Sequence, residues 1–282
     1  MHIVVCIKQV PDSAQIRIHP VTNTIMRQGV PAIVNPYDMF ALEEALRVRD
    51  RLGGGKVTVL TMGPPTAEAA LRKSLSLGAD DAVLLTDRLF AGSDTLATSF
   101  ALSQAILRLS EQEPVDIVFT GKQTIDGDTA QVGPGIATRL NLNLLTYVAK
   151  IEKVDPEAGS IRVHRRAEGG VQVLEAPMPC LITLLEGVNT LRHGSMPDMF
   201  RAARTQITRW GREDAGIDDP TRIGLKGSPT VVTKVFAPKP TAEPATQLEV
   251  AGRSPADVAA DLVERLFDDS GDLERLLLRQ AG

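Results

Sequence analysis

Four short apolar runs, rich in β-branched residues, recur through the first half of the chain and alternate with segments that have the period of a helix. The runs are Ile3–Ile7, Val57–Met62, Ala82–Thr86 and Val115–Thr120. A strand that is apolar on both faces must be covered on both sides, so this alternation predicts a mostly parallel sheet between two helical layers. We therefore expect a doubly wound α/β fold, in which ligands bind beyond the carboxyl ends of the strands.

Amphipathic helices are predicted between these runs. Asp38–Leu52 has an apolar stripe, and the pattern puts Glu43 and Glu44 on an opposite charged face. Thr66–Leu77 and Ser93–Leu109 are similar, and the second opens with cap-type residues. These three segments supply the expected helical layers.

The second half of the chain has a different texture. Leu145–Val154, Ser160–Ala167 and Val171–Ala176 are strand-like and are separated by turn compositions. They predict an antiparallel excursion, which the buried strand Cys180–Leu185 then follows.

The carboxyl-terminal segment resembles a tethered helix. Ala237–Pro244 reads as a proline-rich linker, Ser254-Pro255 has the composition of a helix start, and a second short helix is predicted over Leu273–Leu278. The apolar stripe of the first helix contains Val258, Leu262, Val263, Leu266 and Phe267. We expect an α/β domain over 1–236 and, over 237–282, a linker and a helical arm that docks either on its own domain or on a partner subunit.

Composition excludes several classes of protein. The net charge of −4 over 282 residues argues against nucleic-acid binding, which needs clustered basic residues. The two cysteines, Cys6 and Cys180, have no neighbouring cysteine or histidine cluster, so neither a disulfide framework nor a metal site is expected. No apolar run reaches the roughly 18 residues of a membrane span, and we expect a cytoplasmic protein without direct membrane insertion.

The sequence contains no complete catalytic motif of the kinds considered. The chain has no Gly-x-Ser-x-Gly elbow, and Gly53-Gly54-Gly55-Lys56 lacks Walker spacing and precedes a strand. Gly133-Pro134-Gly135 only begins like a dinucleotide fingerprint. We assign no acid or base.

The loop Gly121–Val132 is the best chemical candidate. It follows the fourth predicted strand, and its small residues allow backbone N–H groups and the next helix start to approach a pyrophosphate. Composition leaves two interpretations open, a nucleotide cradle or an elaborate turn. Asp126 and Asp128 would either cap the helix or accept from ribose hydroxyls. Asn35-Pro36-Tyr37-Asp38 is interpreted as a turn with Asp38 as the N-cap of the first helix.

Several motifs together resemble the β subunit of electron-transfer flavoproteins, along nearly the whole chain. They are Val5-Cys6-Ile7-Lys8-Gln9-Val10-Pro11-Asp12, Asn35-Pro36-Tyr37-Asp38, Gly121-Lys122-Gln123-Thr124-Ile125-Asp126-Gly127-Asp128, Val163 to Gly170 and Pro179 to Thr183. The resemblance implies an adenine-nucleotide-binding α/β fold and an α subunit that carries FAD as partner. Asp126 to Pro134 and the long carboxyl-terminal arm resemble the electron-bifurcating, nitrogen-fixation-associated (Fix) group.

That resemblance also implies a function. Bifurcating members hold FAD in the β subunit and pass electrons from NADH to quinone and to ferredoxin or flavodoxin, through a flavoprotein dehydrogenase or quinone oxidoreductase. Members that only carry electrons hold AMP instead, and a flavin-free regulatory protein of the same fold is a further alternative.

Site residues follow from matching positions. A recognition loop is implied at Arg192–Arg201, with Met196 as its apolar anchor beside Arg192 and Pro197. The residues expected to line the nucleotide are Cys6, Asn35, Pro36, Tyr37, Asp38, Met62, Gly121, Lys122, Gln123, Thr124, Ile125, Asp126, Gly127, Asp128, Thr129, Ala130, Gln131 and Val132.

Overall fold

The chain divides into two compact units, Met1–Phe236 and Ala237–Gly282. A computed structural model describes residues 1–12, 17–18, 25–26, 31–230, 232–233 and 247–269. Among the described helices, none is both long and apolar enough to cross a membrane.

Strands and helices of the first unit alternate as the sequence predicts. Its described strands are β1 (His2–Cys6), β2 (Gln9–Pro11), β3 (Arg17–Ile18), β4 (Ile25–Met26), β5 (Ala32–Val34), β6 (Lys56–Met62), β7 (Asp81–Leu85), β8 (Ile117–Gly121), β9 (Asn143–Asp155), β10 (Ser160–Ala167), β11 (Gly170–Pro177), β12 (Cys180–Leu184) and β13 (Thr208–Trp210). Its described helices are α1 (Pro36–Arg51), α2 (Glu68–Ser76), α3 (Thr95–Gln112), α4 (Val132–Leu140) and α5 (Met196–Arg204), with 3-10 turns at Pro65–Ala67, Arg88–Phe90 and Pro220–Arg222.

Nine of these strands form one sheet in the order β11-β10-β9-β12-β8-β1-β6-β7-β13. All its neighbouring pairs from β9 to β13 are parallel. The chain builds outward from β1 through β6 and β7, then returns with β8 on the other side of β1. This reversal makes a topological switch point between β1 and β8, where ligands of doubly wound folds bind. The predicted fold class is confirmed.

Alternate residues of β1 face different helical layers. Ile3 and Val5 belong to the apolar cluster that contains α1, α2 and α5. Val4 and Cys6 belong to the cluster that contains α3 and α4. Since both faces of the strand are buried, its continuous apolar run is explained by a layer of helices on each side of the sheet.

The predicted antiparallel excursion is also confirmed, and it is continuous with the main sheet. β9 pairs antiparallel with β10 and parallel with β12, so this one strand joins the two kinds of pairing. The register with β12 shifts near Tyr147, which has a φ of 55° and donates its N–H to Thr183 Oγ1 at 3.1 Å. A local bulge therefore fits the long strand to both neighbours.

On α1, the predicted charged face is partly wrong, because Glu43 and Glu44 are only 4% and 5% exposed. Glu43 pairs with Arg47 and Arg192, and Glu44 pairs with Arg51. Arginine partners compensate the cost of burying these carboxylates, so charge alone does not mark the solvent face of this helix.

The described part of the second unit contains helix α6 (Pro255–Asp269). Ser254 Oγ accepts from the N–H of Asp257 at 3.2 Å, which confirms the predicted cap. The predicted linker Ala237–Pro244 and the predicted helix Leu273–Leu278 lie outside the described residues. The exposed apolar side chains of α6 include Leu262, Val263, Leu266 and Phe267.

Candidate functional site

The carboxyl ends of three neighbouring strands bring the candidate residues together. Cys6 ends β1, Met62 ends β6 and Gly121 ends β8, and β1 lies between the other two strands. The register pairs Cys6 with Leu60 on one side and with Thr120 on the other. The loop that begins at Gly121 therefore opens beside the end of β1, at the switch point.

One buried carboxylate holds these two strand ends together. Asp38 Oδ2 accepts from the N–H of Lys8 at 2.7 Å, and its Oδ1 accepts from the N–H of Gly121 at 3.2 Å. The predicted N-cap role of Asp38 is wrong, because Asn35 occupies the N-cap position and Asp38 lies inside the first turn of α1. The Asp38 carboxylate accepts from the two strand-end amides and not from the first amides of the helix.

The environment of Asp38 disfavours its charge. Burial raises the pKa of Asp38 to about 7, although hydrogen bonds from Asn35 and from the amides of Lys8 and Gly121 act in the opposite direction. The same burial raises the pKa of the Cys6 thiol to about 12, and the neighbouring Asp38 adds to this effect. Cys6 is therefore a packing residue at the strand end and not a thiolate nucleophile.

Close packing fixes the start of the loop. A Cβ atom at Gly121 would collide with the carboxylate of Asp38 and with Tyr37. The next residue, Lys122, places its ammonium 5.2 Å from the centre of the Tyr37 ring, within cation–π range. Gly121 is thus required by the approach of β8 to the start of α1.

Asn35 holds the middle of the loop. Its Nδ2 donates to the carbonyl of Gln123 at 2.9 Å, and its Oδ1 accepts from the N–H of Ile125 at 3.2 Å. Asp126 accepts from Lys8 Nζ at 2.8 Å through both of its oxygens. Burial alone raises the pKa of Asp126, but Lys8 holds it below its ordinary value. The loop is therefore clamped both to α1 and to the segment after β1.

The tip of the loop is more open. Gly127, Asp128 and Thr129 are exposed, and Asp128 and Ala130 have φ values of 53° and 55°. Gln123 Nε2 donates to Asp128. Such left-handed conformations cost energy in residues other than glycine, and they occur more often at functional turns.

Helix α4 follows the tip without a side-chain cap. Gln131 stands at its N-cap position and makes no capping bond; its Oε1 instead accepts from Thr95 Oγ1 at 2.7 Å. Neither Asp126 nor Asp128 caps this helix. The predicted capping role of these two residues is therefore wrong. The first amides of α4 are left for another acceptor, as in helix starts that hold phosphate groups.

The base of the loop is closely packed. Thr120 Oγ1 is buried without a hydrogen-bond partner, and a Cβ atom at Gly133 would lie 2.8 Å from it. The start of α4 is therefore packed directly on the end of β8. The amides of α4, the ammonium of Lys122 and the carboxylate of Asp126 together offer groups for phosphate and for hydroxyl recognition.

Arg192, Met196 and Pro197 lie away from this loop, on the side of the sheet covered by α1 and α2. Arg192 pairs with Glu43 and Asp50 of α1. Met196 begins helix α5, although the sequence pattern suggested a loop there. Its side chain is 62% exposed, and Met199 and Phe200 on the same face are also exposed.

Two residues of this arrangement were missed as site residues. Lys8 is part of a quoted motif, yet only the structure shows that its backbone and its ammonium contact Asp38 and Asp126. The local sequence shows the pair of Glu43 with Arg47, but not its pair with Arg192, which is 149 positions away. Within the described residues, no group of three or more His, Cys, Asp or Glu side chains is placed to hold a metal ion.

Comparison with known proteins agrees with this architecture. The Electron transfer flavoprotein domain family matches residues 22–215. The chain is 63% identical over 281 residues to Protein FixA of Azotobacter vinelandii, covering 100% of both chains. It is 64% identical over 278 residues to Protein FixA of Sinorhizobium fredii, covering 98% of this chain and 97% of the relative.

A more distant relative carries a subunit name. The chain is 45% identical over 269 residues to the electron transfer flavoprotein subunit beta of Clostridium acetobutylicum, covering 95% of this chain and 99% of the relative. The fold places the chain among the doubly wound α/β proteins, with a clamped loop at the switch point of the sheet. The chain belongs to the electron transfer flavoprotein family.

The collision at Gly121 predicts a selective effect of adding a methyl group. Gly121→Ala should destabilise the fold by about 1–3 kcal/mol, since the new Cβ meets backbone and a buried carboxylate. Gly127→Ala in the same loop is the control, because its Cβ meets only Thr124 Oγ1 at 3.3 Å. Urea unfolding of both variants measures the difference, and equal stabilities would contradict the packing role of Gly121.

The raised pKa of Asp38 predicts a pH dependence of stability. Because the folded pKa of about 7 lies above the unfolded value, the contribution of Asp38 is greatest below pH 4 and is lost as pH rises towards 7. The loss is at most about 4 kcal/mol. Asp38→Asn should remove this slope, which thermal unfolding of wild type and variant from pH 4 to pH 8 would reveal. If the stability of wild type and variant changed equally with pH, Asp38 would not be the source of the pH dependence.

Proposed function

We propose that this chain is the β subunit of a heterodimeric electron-transfer flavoprotein, that it binds FAD, and that it takes part in NADH-dependent electron bifurcation to quinone and to ferredoxin or flavodoxin. The observation that carries the proposal is the clamped Gly121–Val132 loop at the switch point between β1 and β8. Doubly wound folds bind nucleotides at this position. The relatives named Protein FixA, at 63% and 64% identity, support the Fix group as the relevant branch.

The residues of the site have distinct parts in this proposal. Asp38 and Asn35 hold the loop in place, while the first amides of α4 and Lys122 receive the pyrophosphate. Asp126 pairs with Lys8, and the remaining lone pairs of its carboxylate accept from a ribose hydroxyl. When bound, FAD supplies the hydride and one-electron chemistry, and the protein orients it and sets its electrostatic surroundings.

Cofactor analysis of the purified heterodimer tests the proposal. We expect FAD in this subunit in addition to the FAD of the α subunit, and NADH should reduce the complex. FAD together with AMP would instead indicate a non-bifurcating carrier with a structural nucleotide. A heterodimer without flavin would indicate a nucleotide-binding regulatory protein.

A variant in the clamp assigns the nucleotide to this site. Asn35→Ala removes both side-chain bonds to the loop, so the nucleotide of this subunit should be lost while that of the α subunit stays. Asn189→Ala is the matched control, since Asn189 also bonds to α1 but contacts Phe40 and Glu44 instead of the loop. Unchanged nucleotide content in Asn35→Ala would place the nucleotide elsewhere.

Two surfaces serve partners in the same proposal. The apolar stripe of α6 docks on the α subunit, and the exposed face of α5 around Met196 docks on a flavoprotein dehydrogenase or quinone oxidoreductase. Both stripes have exposed apolar side chains at helical spacing, which suits helix-in-groove recognition.

Point variants on α6 test the first surface. Leu266→Asp places a charge in the apolar stripe and should weaken heterodimer assembly at least about tenfold, since a buried unpaired charge costs more than 1.4 kcal/mol. Glu264→Gln, on the opposite side of the same helix, should leave assembly unchanged. Analytical ultracentrifugation of the coexpressed subunits measures both, and assembly of Leu266→Asp at wild-type affinity would exclude α6 from the interface.

A further inference from the structure

We propose that Glu43 is a positioning residue for partner docking: through Arg192 it fixes the segment that carries the exposed stripe Met196, Met199 and Phe200. This inference rests on the proposed docking function of α5. It adds a residue of α1 that is buried and cannot itself touch the partner.

The carboxylate of Glu43 is fully engaged. Its Oε2 accepts from Arg192 Nε at 2.9 Å and from the backbone N–H of Arg192 at 3.1 Å. Its Oε1 accepts from Arg47 Nε at 2.8 Å. Side chain and backbone of Arg192 are therefore held by the same buried group, which fixes the course of the chain as well as the guanidinium.

Neighbouring contacts reinforce this point of attachment. Arg47 Nη2 donates to the carbonyl of Thr190 at 2.9 Å, and Asn189 Nδ2 donates to Glu44 Oε2 at 3.1 Å. The chain after β12 is thus bonded to α1 at three nearby residues before it reaches α5.

Beyond Arg192 the backbone is packed tightly against α2. A Cβ atom at Gly194 would collide with the carbonyl of Ser76, the last residue of α2. Arg201 then donates to the carbonyl of Ala79 at 2.9 Å from the inner side of α5. With these contacts below it, the helix turns Met196, Met199 and Phe200 outward as one surface.

The ion pairs of Arg192 also indicate whether it contacts the partner directly. Its guanidinium already contacts Glu43 and, at 3.0 Å, Asp50. A partner would have to break the partly buried pair with Glu43 in order to recruit this charge, which is unfavourable. Arg192 therefore acts on docking by holding the segment, and affinity arises from a preorganised apolar surface.

Three variants of the assembled heterodimer test the inference: Glu43→Gln, Arg192→Gln and the double variant. If the docking conformation falls to about a tenth of the population, the KM for the purified quinone oxidoreductase partner should rise about tenfold at unchanged kcat. The effects of the two single changes should be less than multiplicative in the double variant, because each removes the attachment between Glu43 and Arg192. Hydrogen exchange should accelerate over residues 195–204 while the amides of β1 and β8 keep their protection.

Asp116→Asn is the matched control, since the Asp116 carboxylate accepts from the N–H of His2 at 2.7 Å and not from the segment that leads to α5. It should leave both the KM and the exchange of α5 as in wild type. Wild-type exchange and KM in Glu43→Gln would overturn the inference. Met196→Asp separates the two proposals: it should raise the KM without changing exchange, and a normal KM in that variant would reject the docking surface while the exchange data still test the attachment.

Discussion

The whole candidate site depends on one buried carboxylate between two parallel strands. Asp38 accepts from the amide of Lys8, two residues after β1, and from the amide of Gly121, the last residue of β8, and so it joins the two strand ends at the topological switch point. The pairing of β1 with β8 ends there, and the Asp38 side chain continues the connection between these two strands. The site exists because α1 delivers an acceptor to amides that the sheet leaves unpaired.

Burying that acceptor is unfavourable for its charge, which its raised pKa reflects. The fold tolerates the cost because unpaired amides of Lys8 and Gly121 would be costly as well. Asn35 solves a similar problem in the loop, where one side-chain amide satisfies Gln123 and Ile125. Polar groups of the Asn35–Asp38 turn thus replace regular secondary structure at the start of the loop that we propose as the nucleotide site.

Much of the fold could be predicted because its signals are local. Apolar runs gave the four central strands, and Asp94 and Ser254 mark the starts of α3 and α6 through bonds to amides two or three residues away. The roles of Asp38 and Glu43 could not be predicted, because Gly121 and Arg192 are brought close to them only by the folded chain. A carboxylate near a helix start resembles a cap, and one beside arginines resembles a solvent face, until tertiary contacts are known.

The same helix connects the proposed nucleotide loop with the proposed docking surface. Asp38 and Glu43 are five residues apart on α1, which corresponds to about 7.5 Å along the helix axis. One carboxylate fixes the loop after β8, and the other fixes the segment before α5. Because a helix of this length moves as a rigid element, the two attachments cannot shift independently. In the function that we propose, the nucleotide loop and the docking surface are therefore held at a fixed spacing by one helix.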